Sequence, residues 1–205
     1  MGGMNSGHVQ LRAGLLALLA CLVISGCAAG ARSAAVNPEG ANEIRGVEIL
    51  RYGQRMPLPY SAQKGDRIET DAESTAIVHF ANGTVVYVRP NSIVRIGSLF
   101  VEIGAIFVKA RDLFRVDTEF VAAGAEGTEY AVQVRPRNEV SVVVLEGRVR
   151  CISLSGRWPR FLLTAGEMAE FPGWGFATRS RASGAEIEGI QRWVNEIEGT
   201  RSPPR

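Results

Sequence analysis

The sequence predicts a mainly β fold closed by one C-terminal helix, with short twisted strands stacked as a β-solenoid or packed as in a sandwich. Three observations predict it. Residues 114–134 read as two strands that meet at a turn around Gly127, after which apolar and polar residues alternate as in a half-buried strand. Two further apolar runs are joined by Asn82-Gly83, a typical hairpin turn. Apolar residues take up a helical spacing only from residue 184 onward.

The chain opens with the layout of a secretory signal. His8 and Arg12 precede the apolar run 13–24, which is shorter than the roughly 20 residues that a membrane-spanning helix needs. Two small residues then lead to Cys27. We therefore expect residues 1–26 to be a signal peptide that exports the protein.

The end of this leader, Ile24-Ser25-Gly26-Cys27, resembles the bacterial lipobox, in which a peptidase cuts before a cysteine that carries lipid. The resemblance implies a lipoprotein whose acyl chains on Cys27 hold it on a membrane. The alternative is an ordinary cleaved signal with an incidental cysteine. Ala28 after the cysteine, rather than Asp, favours the outer membrane, so we expect a lipid-anchored envelope protein on the periplasmic side.

Composition excludes some partners and some sources of stability. The 23 basic residues nearly balance the 21 acidic ones, for a net charge of +2, which offers no electrostatic footprint for nucleic acid. Beyond Cys27 the only cysteine is Cys151, so no intramolecular disulfide is expected even in an oxidising compartment. Stability must then come from packing.

The chain after the leader divides into four predicted parts. Residues 27–43 are Ala, Gly, Ser, Asn and Pro with few large apolar side chains, which predicts a flexible tether. A β-domain follows over 44–172, then a C-terminal extension over 173–198 that contains a helix at 184–198. Residues 199–205 are predicted to be a disordered tail.

Within the β-domain the sequence also predicts pairing. A two-residue loop at Asn82-Gly83 makes Phe80 face Val85 across the hairpin, and both of its faces carry apolar pairs. The nearly continuous apolar run 140–145 predicts a strand buried on both faces. Glycines followed by an apolar residue recur along the domain, which hints at stacked repeats but also occurs in sandwiches: Gly65, Gly104, Gly147 and Gly166.

The predicted helix has a clear start and one apolar face. Ser183 and Glu186 have the spacing of a capping box. Four residues fall on one stripe, flanked by Trp193: Ile187, Ile190, Val194 and Ile197. Such a helix either closes the sheet by packing on its end or serves as a docking helix for a partner, and an exposed stripe would be a liability on a monomer.

A set of short motifs follows in a fixed order along the β-domain: Gly65-Asp66-Arg67-Ile68-Glu69-Thr70, Ser74-Thr75-Ala76, Phe80-Ala81-Asn82-Gly83-Thr84, Pro90-Asn91-Ser92, Phe107-Val108-Lys109, Phe114-Arg115-Val116-Asp117-Thr118, Gly127-Thr128-Glu129-Tyr130 and Val144-Leu145-Glu146-Gly147-Arg148-Val149. In this order and spacing the motifs resemble the FecR domain, a β-rich periplasmic module, over residues 44–172. Glu126 stands where that family often has arginine, and Asn82 where it often has Asp. The resemblance implies an all-β domain that binds protein or glycan and performs no chemistry.

The residues give little support to catalysis. The chain has no Gly-x-Ser-x-Gly elbow and no phosphate-binding glycine loop, and no histidine that could act as a base lies near Cys151 in sequence. Glu69, Asp71 and Glu73 alternate along an extended segment, where they could form a calcium site or a solvated rim. His79 has no second ligand at metal spacing. We expect no enzyme activity, cofactor or metal.

These observations predict a sensor or scaffold module that binds another envelope protein. Edge strands and turns expose backbone groups to a partner, so the candidate binding turns are Asn82, Gly83, Glu126, Gly127, Thr128 and Glu129. The alternative is a surface adhesin or polysaccharide-associated protein. It would bind sugar on a candidate aromatic platform of Trp158, Trp174 and Phe176, although buried packing is the commoner fate of such residues.

Overall fold

The computed structural model describes residues 34–36, 47–51, 54–55, 61–62 and 64–199. A 3₁₀ turn at Pro136–Asn138 joins two of its strands, and the helix α1 spans Gly184–Gly199. The strands are β1 (Ala34–Val36), β2 (Val47–Arg51), β3 (Gln54–Arg55), β4 (Ser61–Ala62), β5 (Arg67–Thr70), β6 (Ala76–Phe80), β7 (Val85–Val88), β8 (Ile93–Arg95), β9 (Leu99–Ala110), β10 (Phe114–Asp117), β11 (Val121–Ala125), β12 (Thr128–Arg135), β13 (Glu139–Glu146), β14 (Arg148–Ser153), β15 (Phe161–Thr164), β16 (Glu167–Phe171) and β17 (Thr178–Arg181).

Three predicted segments, the signal peptide, the tether and the tail, fall largely or wholly outside these residues. The signal peptide 1–26, Cys27 and all of the tail after residue 199 are not among them. Within the predicted tether, Ala34–Val36 forms β1, which pairs antiparallel with β4 and β6. The tether prediction is corrected at these three residues, because hydrogen bonds along the edge of β6 fix a stretch that its composition alone does not.

The strands form one hydrogen-bonded sheet that bends along β9. The first half of β9 pairs with β8 and β10, and the second half pairs with β7 and β12. Gly104 lies at the bend with φ +96°, a backbone conformation that favours glycine. The sheet therefore curls into a half-barrel with two lobes that share β9.

We name the lobes by what lies on their outer faces. The helix lobe has the strand order β4-β1-β6-β7-β9-β12-β13-β16-β17, and the groove lobe has the order β3-β2-β5-β8-β9-β10-β11-β14-β15. Among the described strands only the β9–β10 pair is parallel. The mainly β prediction is confirmed. Stacked solenoid repeats would need parallel neighbours throughout, so the solenoid is not confirmed, and neither is the sandwich.

The inner faces of both lobes meet in one core. From β12 the predicted apolar parity is buried, with Tyr130 fully covered and Val132 and Val134 almost so. They pack with residues of the groove lobe such as Ile68 and Leu163. The run 140–145 is buried on both faces except at its last residue, as predicted. The alternation along β12 thus arises because every second side chain faces the core enclosed by the curled sheet.

The Asn82-Gly83 hairpin is present, but its register differs from the prediction by one residue. His79, not Phe80, lies opposite Val85. The amide of Gly83 donates to the carbonyl of Phe80 over 2.9 Å, and Gly83 has φ +79°. This is a three-residue loop in which glycine takes the left-handed position of a bulge, so the two-residue loop was wrong.

The helix α1 packs on the outer face of the helix lobe. Ser183 and Glu186 form the predicted capping box, with Ser183 Oγ accepting from the amide of Glu186 over 3.2 Å and Glu186 Oε2 accepting from the amide of Ser183 over 3.0 Å. Val194 is buried against Tyr87 and Phe107. The stripe therefore closes a face of the sheet rather than its end. No helix in the described part of the chain is long and apolar enough to cross a membrane.

Candidate functional site

The turn at Gly127 carries the chain from one lobe to the other. It joins β11 of the groove lobe to β12 of the helix lobe, two strands that do not pair with each other. Thr128 anchors it, since its hydroxyl donates to the carbonyl of Glu126 over 2.9 Å and accepts from the amide of Arg148 over 3.3 Å. A Cβ on Gly147 would lie 2.7 Å from Thr128 Oγ1, so the two crossing segments pack tightly.

The structure brings the two predicted binding turns together. Gly83 and the segment 127–129, far apart in sequence, line one shallow pocket of about 340 Å³, which we call the turn pocket. The side chain of Arg111 covers Gly83, and a Cβ there would lie 2.9 Å from Arg111 Cδ. Lys109 also lines the pocket and reaches Glu198 of α1 over 2.7 Å. Charged groups of both signs thus surround backbone turns at one end of the sheet.

A larger depression lies on the outer face of the groove lobe, and sequence reasoning missed it. Its volume is about 670 Å³, and it begins at the Glu126-Gly127 turn. We call it the arginine groove, lined by Arg115 of β10, Ala122 and Gly124 of β11, Arg148 and Arg150 of β14 and Leu162 of β15. These residues alternate with core residues along their strands, which the sequence shows. Their neighbours across the sheet depend on which strands pair, and the local sequence pattern does not reveal that.

The aromatic platform does not form as predicted. Trp158 is buried, with its ring 5.6 Å from that of Phe171 and its Nε1 donating to the carbonyl of Gly175 over 3.2 Å. It cannot lie on a surface beside the other two residues. Trp174 and Phe176 are 82% and 89% exposed. Only these two remain available to a ligand.

Side chains that could in principle take part in catalysis or metal binding are buried or engaged in hydrogen bonds and ion pairs. Burial raises the pKa of the Cys151 thiol to about 12 and also raises the pKa of Tyr130. Asp71 accepts from the amide of Glu73 over 3.0 Å, and Glu69 is paired with Arg67. Within the described part of the chain no three acidic, histidine or cysteine residues are grouped so that they could hold a metal ion.

Comparisons with known proteins agree with this architecture. The family model described as FecR protein matches residues 66–150. Two crystal structures of a proposed anti-sigma factor from Parabacteroides distasonis ATCC 8503 are similar in fold, with TM-scores of 0.53 and 0.54 and 16% sequence identity. In each case the match covers 63% of this chain and 64% of that chain, less than two thirds of its length.

No curated protein matches the sequence. The solved structures, at such low identity, show a shared fold alone. The family match, in contrast, covers the strands from β5 to the start of β14 and most of the motifs on which the resemblance was based. The predicted resemblance to the FecR domain is therefore confirmed over residues 66–150.

Proposed function

We propose that this protein is a non-enzymatic sensor or scaffold module of the cell envelope that binds another envelope protein. The observation that carries the proposal is the turn pocket, where Gly83 and residues 127–129 meet within a FecR domain. Turns expose backbone donors and acceptors, and here Lys109, Arg111 and Glu146 surround them. The fold similarity to a proposed anti-sigma factor favours a regulatory protein contact over a catalytic one.

Membrane attachment is the second part of the proposal. Cys27 follows a lipobox-like leader, and acyl chains on its thiol would hold the domain at a membrane surface, with the outer membrane favoured by Ala28. Cells fed labelled palmitate should label the wild-type protein and leave Cys27→Ser unlabelled. Labelling that survives Cys27→Ser would overturn the lipid anchor without affecting the binding proposal.

The binding proposal can be tested by crosslinking in intact cells. A photoreactive amino acid at position 126 or 129, beside the turn pocket, should capture one envelope protein that mass spectrometry identifies. The matched control is position 188, which is exposed on the outer side of α1. Equal capture at 188, or no protein captured at any of these positions, would refute partner binding at the turns.

A glycan-binding role remains a second candidate because Trp174 and Phe176 are so exposed. Arg157 lies over the Trp174 ring, 5.5 Å from its centroid, and so holds one side of it. If the protein recognises sugar through stacking, it should be retained on a glycan array, and Trp174→Ala should abolish retention. Unchanged retention of this variant would exclude the aromatic pair as a sugar site.

A further inference from the structure

The arginine groove has the shape of a trough that runs along β11. The outward residues of β11 are small, Ala122 and Gly124, whereas larger side chains stand on the flanking strands β10 and β14. A Cβ on Gly124 would meet nothing within 4 Å, so the space above the floor is open. The walls are two strand spacings apart, about 10 Å, which is wide enough for one extended polypeptide.

Positive charge on one wall is not neutralised by ion pairs within the described part of the chain. Arg115, on the β10 wall, pairs with Asp117, its Nε lying 2.6 Å from Oδ1. Arg148 and Arg150, on the β14 wall, form no ion pair with any described residue. Glu126, at the turn end, is the one carboxylate that lines the groove within the described residues.

Apolar side chains border the same trough. The described residues include seven large hydrophobic side chains that are exposed, and three of them line this groove: Leu113, Ile152 and Leu162. Leu113 is 71% exposed and stands near the β10 wall. Single exposed apolar residues are common on protein surfaces. Several of them gathered in one concave site beside arginines without ion-pair partners indicate a binding surface.

The spacing on β14 specifies the occupant. Arg148, Arg150 and Ile152 alternate with core residues, so their side chains are about 7 Å apart along one face. An extended peptide repeats its own side chains at the same interval. Carboxylates two residues apart would each meet one guanidinium, and an aliphatic residue two further on would meet Ile152.

We infer that the arginine groove binds an extended segment of the partner protein with the pattern acidic-x-acidic-x-aliphatic. This inference rests on the proposed function, since it names the part of the partner that is recognised. A concave trough favours a polypeptide over a membrane surface, which would need a flat or protruding face to reach the arginines.

The test uses the full chain and two synthetic peptides, Glu-Thr-Glu-Thr-Leu and Lys-Thr-Lys-Thr-Leu, in fluorescence anisotropy. Wild-type protein should bind the acidic peptide and not the basic one, and added salt should weaken binding. Arg148→Gln with Arg150→Gln should weaken it by about tenfold or more, because two charge-assisted contacts are lost. The control Arg160→Gln with Arg192→Gln removes the same charge from exposed positions outside the groove and should leave binding unchanged.

A second variant blocks the groove without removing charge. Gly124 has ordinary strand geometry and open space above it, so Gly124→Phe should fold like the wild type in circular dichroism and still abolish peptide binding. Equal binding of both peptides, no binding of the acidic one, or unchanged affinity in Gly124→Phe would overturn the inference. Binding to anionic vesicles in place of the peptide would overturn it as well.

The crosslinking experiment separates this inference from the proposed function. If Gly124→Phe still captures the same envelope protein from position 129, the partner is real and the groove is not its binding site. If no partner is captured from any position, the proposed function fails irrespective of the peptide result. Loss of capture in Gly124→Phe, with the wild type capturing normally, supports both.

Discussion

Gly104 and Ser92 pack so closely that a Cβ on Gly104 would lie 2.2 Å from the Oγ of Ser92. The contact lies where β9 passes from the groove lobe to the helix lobe. Ser92 Oγ also accepts from the amide of Ala105 over 3.0 Å, so the hydroxyl takes the place of a strand partner at the bend. The curl of the half-barrel thus depends on a residue without a side chain.

Gly104→Ala should destabilise the protein by about 3 kcal/mol or more, because it combines a strained backbone with a backbone clash at Ser92. Gly65→Ala is the matched control. Gly65 has nearly the same φ, +95°, but nothing lies within 4 Å of its Cβ position, so the cost should be only about 1–2 kcal/mol. Urea unfolding measures both free energies. Equal losses would show that the contact with Ser92 is not what requires glycine.

Thr128→Val should cost about 1–3 kcal/mol, since the amide of Arg148 would lose the hydroxyl of the buried Thr128 as its acceptor while the shape is kept. Thr70, the last residue of β5, makes a corresponding contact by accepting from the amide of Ser92 over 3.0 Å, and Thr70→Val should cost a similar amount. Thr178→Val, on exposed β17, should change stability by no more than about 0.5 kcal/mol. A cost in Thr178→Val as large as in Thr128→Val would argue against hydroxyl anchoring.

Val194→Asp should detach α1 from the sheet, because it places a charge against Tyr87 and Phe107. The main core lies on the opposite face of the helix lobe, so the strands should remain folded. Limited trypsin digestion should then cleave at Arg192 while circular dichroism keeps its strand signal. Gln191→Asp, on the exposed side of α1, should resist digestion like the wild type.

The pH dependence of stability should include a contribution from Glu167. A hydrogen bond from Arg179, together with donors from Thr164, lowers the pKa of Glu167 from 4.5 to about 2. A pKa that is lower in the folded state stabilises the protein above pH 4.5, and that stabilisation disappears as pH falls from about 4.5 to about 2. Glu167→Gln should flatten this part of the curve.

Arg179→Gln provides the control for that titration. Removing the largest cause of the shift should move the pKa of Glu167 back toward its ordinary value, which a carboxylate NMR titration measures. A Glu167 pKa near 4.5 in the wild-type protein would refute the predicted contribution.

Several local features could be read from the sequence because their causes are local. The parity of Tyr130, Val132 and Val134, the Ser183–Glu186 capping box and the turn at Gly83 each depend on residues a few positions apart. The hairpin register was missed by one residue because a two-residue and a three-residue loop share the same Asn-Gly signal.

The alternation, the turns and the helix stripe follow from the sequence alone, and they indicate a β-rich domain with one closing helix and a recognisable family resemblance. Three further features depend on the folded chain: Gly83 and Gly127 line one pocket, Trp158 is buried, and Gly124 lies between Arg115 and Arg150. The difference arises because a side chain's parity follows from its own strand, whereas its neighbours follow from which strands pair and in what register. Both candidate binding surfaces are made by such pairing.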